Sequence, residues 1–259
     1  QIISGYYDPT ILVDSGVTRY MVRLGVTDPI DESDLGKGAD LSGMDLRRAD
    51  LTNARLREAD LSDADLSNAE LVDADLADAD LSNADLSNAE VTNAELLRAD
   101  LTNADLTGAE LINVRLEDTT LSYADFTEAD LLNAELSGAD FSDADFSDAD
   151  LTRSDFHRTD LTYTDLSGVY LASANFTNAD LRNIDLSSAY LADAIFMNAD
   201  LRDADLSDAD LHNADLQTDD FSDADLTGAI LNGAVTYNDA GKCSASKQVL
   251  IGKGAIINK

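Results

Sequence analysis

The sequence predicts an all-β solenoid, and three observations lead to this fold class. A five-residue unit repeats 39 times over residues 39–233 without an insertion or deletion. The third residue of every unit is Leu, Val or Phe, and the first is nearly always Ala. The second is mostly Asp, Asn or Glu, and the last two are mainly Ser, Thr, Asn, Asp and Gly. Repeats of one short unit bury a core by stacking on each other.

Each unit predicts a short extended segment followed by a corner. Residues two apart in extended chain point to the same side, so the first and third positions face inward and the second faces outward. The fourth and fifth positions hold turn-forming residues whose side chains bond nearby backbone. We therefore expect a three-residue strand and a turn in every unit. An α-helix would need apolar residues three and four apart.

The repeat resembles the pentapeptide-repeat family, whose consensus reads Ala-(Asp/Asn)-Leu-X-X. The unit at residues 64–68, Ala-Asp-Leu-Ser-Asn, matches this consensus fully. The resemblance covers residues 39–233 and implies a right-handed quadrilateral β-helix with four units per coil. On that basis the repeats form about ten coils, and a rod about 47 Å long at a strand spacing of about 4.8 Å.

A period of four units places third positions in columns. Two inner aromatic stacks follow, one of Phe156, Phe176 and Phe196 and one of Phe126 and Phe146. Larger first-position residues cluster from Ser154 to Val169, so we expect wider coils there. Asp219 stands at an inward position, where we expect a local distortion because a buried carboxylate needs a partner.

The two ends lack the repeat and differ in charge. Residues 1–38 carry a net charge of −3, and the alternation over residues 18–24 predicts a half-buried strand between Asp-Pro turns. Residues 234–259 carry +3, from one acidic and four basic residues, and hold the apolar stretches 249–251 and 255–257. We expect the first segment to cap or anchor the first coil, and the second to cover the last coil or join subunits there.

The repeat region carries the whole charge excess of the chain. It has 45 acidic and 10 basic residues, against a net charge of −35 for all 259 residues. Such a surface excludes direct binding to nucleic acid or anionic membrane, because both need basic residues. Over about 47 Å it amounts to one net charge per ~1.3 Å, close to the ~1.7 Å of duplex DNA.

The sequence offers no constellation of residues typical of an enzyme. His157 and His212 fall on different columns about three coils apart, so they cannot share a metal or a proton relay. Cys243 is the only cysteine, which excludes an intrachain disulfide. Phosphate-binding and calcium-type glycine motifs are absent from the sequence. We therefore expect no catalytic residues, no cofactor and no specific metal site.

Membrane insertion is not expected either. No apolar run approaches the ~18 residues of a transmembrane helix, and no signal peptide is recognisable. Because the chain begins at Gln1 rather than Met, we expect that residues preceding it were removed. Composition leaves the compartment open, with an extracellular or virion surface slightly favoured over the cytoplasm.

Outward apolar residues are the candidate contacts on this polar surface. Tyr170, Tyr190 and Ile230 share one outward column, and Ile195 and Met197 lie one corner away. A second group, Val72, Ile112 and Leu132, shares another column. Apolar side chains grouped on a polar rod indicate a surface for a protein partner or for a terminal segment.

Two functions are consistent with these features. The first is a non-catalytic structural or protein-interaction scaffold, adapted to high salt and used as a surface or virion component, which associates through its ends or the Tyr column. Its Asp excess suits high salt, where the Debye length falls to about 3 Å at 1 M. The second follows from the resemblance, since some pentapeptide-repeat proteins mimic DNA and modulate type II topoisomerases such as gyrase. The uninterrupted register argues against the second, because that group often has a break or a projecting loop.

Overall fold

A computed structural model describes residues 10–12, 19–21, 36–217 and 221–235 of the chain. Two strands precede the repeats, β1 (Thr10–Leu12) and β2 (Arg19–Met21). They pair antiparallel, with Ile11 opposite Tyr20. The strand predicted over residues 18–24 is therefore present over the three residues of β2. The capping role of residues 1–38 stays a prediction, because the residues that join this pair to the repeats lie outside the described ranges.

The repeats wind into coils of four units. Parallel bridges join each second-position residue to the one four units later, as from Asp45 to Asp65 and from Asp65 to Asp85. Each coil thus has four sides, which we name A, B, C and D after the third-position residues Leu41, Leu46, Leu51 and Leu56. The three-residue strand predicted for each unit shortens to one bridged residue per side, and the described residues contain no helix.

Backbone hydrogen bonds hold successive coils together at three points per unit. The N–H of Leu51 donates to the carbonyl of Glu70 at 2.7 Å, and the N–H of Glu70 donates back to the carbonyl of Ala49 at 2.8 Å. The N–H of Asn53 donates to the carbonyl of Val72 at 2.8 Å. Bonds of this kind satisfy the polar backbone that the narrow rod buries.

Every corner is a β-turn with a left-handed residue. The N–H of Ala54 donates to the carbonyl of Leu51 at 2.9 Å, which closes the turn. All described fifth-position residues from Gly43 to Gly233 have positive φ, mostly between 55° and 63°. Positive φ at this turn position favours Gly, Asn and Asp. This explains why those three residue types dominate the fifth position.

The outward Asp residues also build the corners. The N–H of Ser147 donates to Oδ1 of Asp145 at 2.9 Å, and the Ser147 hydroxyl donates to the same oxygen at 2.6 Å. The N–H of Thr177 makes the equivalent bond to Asn175 at 3.1 Å. Asp and Asn bond the backbone two residues on because their side chains are short enough. The repeat therefore prefers Asp at its second position for a structural reason as well as for charge.

The core is a stack of apolar layers. All described Leu, Val and Phe residues at the third position are buried, with first-position Ala packed beside them. The predicted aromatic stacks are confirmed: ring centroids are 4.9 Å apart for Phe126 and Phe146, and 5.0 Å for Phe156 and Phe176 and for Phe176 and Phe196. The position of Asp219 lies outside the described residues, so its distortion stays a prediction.

Three of the four buried hydroxyl side chains that replace Ala in the described coils are paired with a backbone carbonyl. Thr119, Ser154 and Thr159 are buried and donate to the carbonyls of Leu96, Leu131 and Leu136, at 3.1, 2.9 and 3.1 Å. Each acceptor lies in the preceding coil. A buried hydroxyl with a partner avoids the free-energy cost of an unsatisfied polar group.

Within the described coils the ladder opens between residues 141–148 and residues 160–167, a place that we call the open junction. No hydrogen bond joins the N–H groups of Phe141, Asp143, Phe146 and Asp148 to the coil above, although all these residues are described. The bridge expected between Asp145 and Asp165 is also missing. Side B is affected most. Side A keeps its bridge from Asp140 to Asp160 although the N–H bonds of Phe141 and Asp143 are missing, and the bond from Leu151 to the carbonyl of Tyr170 on side C is normal at 2.8 Å.

Two enlarged positions coincide at the open junction. One enlarged position is tolerated elsewhere. The N–H of Phe126 donates to the carbonyl of Asp145 at 2.7 Å, and beside the bulky first-position Thr119 the N–H of Thr120 donates to the carbonyl of Ala99 at 3.0 Å. At the junction, Phe141 and Phe146 meet Thr159 and Thr164 of the next coil on the same two sides. A core at native density cannot take the extra volume without a shift, so the coils separate.

Candidate interaction surface

The four sides of the rod differ strongly in charge. Side B has Asp at the second position in all ten coils, from Asp45 to Asp225. Side A has Asp at every such position except Thr120. Side D instead holds Arg55 and Arg115 among its acidic residues. The carboxylates thus concentrate on two adjacent sides rather than on all four equally, and these sides repel a second acidic surface.

Local hydrogen bonds stabilise the charged form of several carboxylates. The hydroxyl of Ser147 lowers the pKa of Asp145 from its ordinary value, and the backbone N–H of the same residue adds to this effect. The Ser142 hydroxyl lowers the pKa of Asp140 in the same way. On side D, the Arg98 guanidinium lowers the pKa of Asp78. These groups therefore stay negative at neutral and mildly acidic pH.

Sides C and D hold an apolar surface, which we call the apolar corner: Tyr170, Tyr190, Ile195 and Met197. The two Tyr rings stack with centroids 4.8 Å apart and an interplanar angle of 11°. A backbone bridge joins the two residues, and each is 49% exposed. Ile195 and Met197 are exposed on the neighbouring side. The sequence predicted all four residues, and the structure leaves them uncovered by the described part of the chain.

Carboxylates border the apolar corner along the rod. Tyr170 bridges to Asp150 below it, and Tyr190 bridges to Asp210 above it. Paired Tyr side chains supply a large, rigid contact area together with hydroxyl groups that can bond a partner. An apolar centre with a polar rim is the usual anatomy of a protein–protein interface.

Other predicted contacts contribute less, and one residue adds to the surface. Ile230 lies in the Tyr column beyond Asp210, as predicted, but is half-buried. The second predicted group, Val72, Ile112 and Leu132, is half-buried along its column. Val235 joins the Ile195 column through Asp215 and is exposed. Sequence reasoning missed Val235 because it lies just beyond the last full unit.

Sequence reasoning also missed the two large apolar side chains that are most exposed among the described residues. Tyr163 is 78% exposed and Tyr123 is 60% exposed. Both occupy the fifth position of side A units, with φ of 63° and 62°. Asp143 lies between them in the same column. The signal was available, since a bulky residue at a left-handed corner must project from the rod.

The described residues do not bring catalytic groups together. His157 and His212 lie on sides D and C in different coils, as predicted, and His212 contacts Asp210. Among the described residues no group of three or more His, Cys, Asp or Glu side chains could hold a metal ion. Nor do these residues form a helix long and apolar enough to cross a membrane. Cys243 lies outside the described ranges.

A comparison with family models decides the family. The model of pentapeptide repeats matches eight copies, over residues 37–71, 69–108, 109–148, 149–187 and 179–217. The chain belongs to the pentapeptide-repeat family. The predicted fold, a right-handed quadrilateral β-helix, is confirmed by this match and by the four-unit coils.

Three solved structures of pentapeptide-repeat proteins are similar to this chain. HetL, involved in heterocyst differentiation regulation in the cyanobacterium Nostoc sp. strain PCC 7120, is 33% identical, with 80% of this chain and 90% of HetL covered and a TM-score of 0.45. QnrB1, a plasmid-mediated fluoroquinolone resistance protein, is 20% identical, with 84% and 97% covered and a TM-score of 0.41.

The third is from the Arabidopsis thaliana thylakoid lumen and is 32% identical, with 40% of this chain and 68% of that protein covered and a TM-score of 0.21. A search of curated proteins finds no match. The assignment to the pentapeptide-repeat family therefore rests on the repeat model and on the coil geometry, and the role of this member must be argued from its surface.

Proposed function

We propose that this pentapeptide-repeat protein is a non-catalytic scaffold that binds a protein partner through the apolar corner. The stacked pair of Tyr170 and Tyr190, exposed on an otherwise polar rod, carries the proposal. Tyr is enriched among the residues that dominate binding energy at interfaces. The Asp columns of sides A and B direct association away from those sides, because acidic surfaces repel each other.

The acidity supports a setting of high salt, such as a surface or virion component in brine. Ten successive Asp residues on side B lie about 4.8 Å apart along the rod axis, so their mutual repulsion is strong at low salt. At 1 M salt the Debye length is about 3 Å, which is shorter than that spacing. Salt would therefore stabilise the rod while the apolar corner stays available to a partner.

Crosslinking in the cells that make the protein tests the scaffold function. A photoreactive benzoyl-phenylalanine in place of Tyr190 should crosslink to one defined protein, identified by mass spectrometry. The same group in place of Asp105, on side B, is the matched control. Equal or absent crosslinking at the two positions would reject the apolar corner as the contact surface.

A DNA mimic that modulates a type II topoisomerase is the second candidate. One observation favours it: the adjacent Asp columns of sides A and B form two parallel rows of charge along the rod. A supercoiling assay with purified gyrase separates the two functions. A mimic inhibits or protects the enzyme at stoichiometric levels, whereas a scaffold leaves supercoiling unchanged at tenfold excess.

A further inference from the structure

We propose that the corner between sides A and B, at Tyr123 and Tyr163, binds an extended Lys- or Arg-bearing segment of a partner protein. This second surface is independent of the apolar corner, from which it differs in both position and chemistry. Tyr170 and Tyr190 stack on each other. By contrast, within the described part of the chain neither Tyr123 nor Tyr163 is found in a ring contact.

The position of these Tyr residues is unfavourable without a compensating role. Their fifth position requires left-handed backbone, where most other units have Asn, Asp or Gly. A bulky side chain with positive φ is an outlier for L-residues. The rod gains no burial in return, since the rings are the most exposed large apolar groups described. Strained, exposed aromatic groups that do not stabilise the fold are available to a ligand.

Charge complementarity defines the occupant. Asp160 on side A and Asp165 on side B lie on either side of Tyr163 in sequence, and Asp143 separates the two Tyr residues in their column. An ammonium or guanidinium group can sit on a Tyr face while neighbouring carboxylates neutralise it. A second acidic rod, nucleic acid and anionic lipid are all repelled here.

The open junction lies within the same surface. It separates residues 141–148 from residues 160–167, so the coil of Asp143 and the coil of Tyr163 are joined on side A by the bridge from Asp140 to Asp160 and are not bridged on side B. The N–H of Asp143, at the corner between these sides, makes no hydrogen bond to the coil above. An extended segment that lies along this corner can therefore also bond backbone groups that elsewhere are paired.

Fluorescence anisotropy with a labelled peptide tests this surface. The probe is a 12-residue peptide of alternating Arg and Gly, in about 0.15 M salt, and the ligand control has citrulline in place of Arg. We expect Tyr123→Asn with Tyr163→Asn to weaken binding of the Arg peptide by about five- to thirtyfold, the value of two exposed cation–π contacts. Asn suits left-handed corners, so this variant should fold at least as well as the natural chain.

The matched variant, Tyr170→Asn with Tyr190→Asn, should change binding by less than twofold, and its behaviour separates this surface from the proposed scaffold contact. Equal affinity of the natural chain and the Tyr123/Tyr163 variant would overturn the proposal, because diffuse attraction to carboxylates would then suffice. No binding by the natural chain would overturn it as well.

The basic C-terminal segment of this chain is the competing occupant. Replacing Lys242, Lys247, Lys253 and Lys259 by Ser should leave peptide affinity within twofold of the natural value. An affinity at least tenfold higher after this change would show that the chain covers its own corner. That result would overturn the proposal of an external partner.

Discussion

The coils at residues 39–135 and the open junction are made from the same unit, yet their ladders differ. In the first region the third-position N–H groups of sides A and B are paired, as from Leu81 to the carbonyl of Asp100 and from Leu86 to that of Asp105, both at 2.7 Å. At the junction the equivalent bonds of Phe141 and Phe146 are missing, and of the two bridges beside them only the one from Asp140 to Asp160 on side A remains. An unbroken sequence register therefore does not guarantee an unbroken ladder.

The difference shows that the core of this rod accommodates little additional side-chain volume. A single Phe, or a single coil with a bulky first position, leaves the bonds intact, as Phe126 and Thr119 demonstrate. When both enlargements meet across one pair of coils, the backbone separates. Small and large inward residues are thus coupled between neighbouring coils rather than within one unit.

A buried charge should have a larger effect in the regular coils than at the junction. Leu86→Asp should abolish folding, because an unpaired carboxylate in the closed core costs several kcal/mol. Leu166→Asp, in the same column above the junction, should cost less because fewer hydrogen bonds hold its coil to the one below, so the coils can part around the charge although Leu166 is buried in the natural chain. Circular dichroism during urea unfolding measures both. Asp85→Asn is the control, since Asn accepts the same turn bond at position 175. Equal losses for the two Leu variants would contradict the comparison.

Salt should stabilise the rod strongly, because the Asp columns run through both regions. The melting temperature should rise by about 10 °C or more between 0.1 and 2 M KCl, as carboxylate repulsion is screened. Differential scanning calorimetry gives the value. A flat response would reject the adaptation to high salt and leave the DNA-mimic hypothesis stronger.

Restoring the small first position should close the junction. Thr159→Ala with Thr164→Ala removes the inward volume that faces Phe141 and Phe146, and with it the bond from the Thr159 hydroxyl to the carbonyl of Leu136. Stability should still increase by about 1 kcal/mol, because several ladder bonds form for the one that is lost. Urea unfolding measures the change. Thr119→Ala, in a coil with an intact ladder, should instead lose stability, since it removes a hydroxyl bonded to the carbonyl of Leu96. Destabilisation by the double change would show that Thr does not cause the opening.

The smallest effect is expected for one carboxylate. Ser147→Ala removes the hydroxyl that lowers the pKa of Asp145, so this pKa should rise towards its ordinary value, as measured by NMR titration. A depressed pKa in the folded state contributes stability above the pKa of the unfolded state, and this contribution disappears as pH falls through the folded value. The variant should thus lose a little stability at neutral pH and none at strongly acidic pH. An unchanged pKa would mean that the backbone bond alone sets it.

Much of the fold could be predicted because it repeats. The period fixed which residues share a column, and so the stacks of Phe156 with Phe176 and of Phe126 with Phe146 were predicted correctly. The apolar corner was found in the same way. The structural role of the second-position Asp was missed, because a side-chain bond to the backbone two residues on leaves no mark in an apolar pattern.

The open junction was only partly foreseen. The cluster from Ser154 to Val169 predicted wider coils, but the opening depends on the meeting of Thr159 and Thr164 with Phe141 and Phe146 of the coil below. That contact joins two successive coils, and the outcome depends on packing volumes that a column pattern does not give. Tyr123 and Tyr163 were not predicted, because the alternation of inward and outward residues in an extended segment does not extend to the left-handed corner positions.

Amide hydrogen exchange tests the contrast between the regular coils and the open junction most directly. Residues 81–88 and 141–148 occupy the same sides and positions, in the third and sixth coils of one rod, so mass spectrometry of the two peptides compares matched amides. The junction amides of Asp143, Phe146 and Asp148 should exchange at least tenfold faster than those of Asn83, Leu86 and Asn88, because only the latter are bonded to the next coil. Equal protection of the two peptides would contradict the open junction.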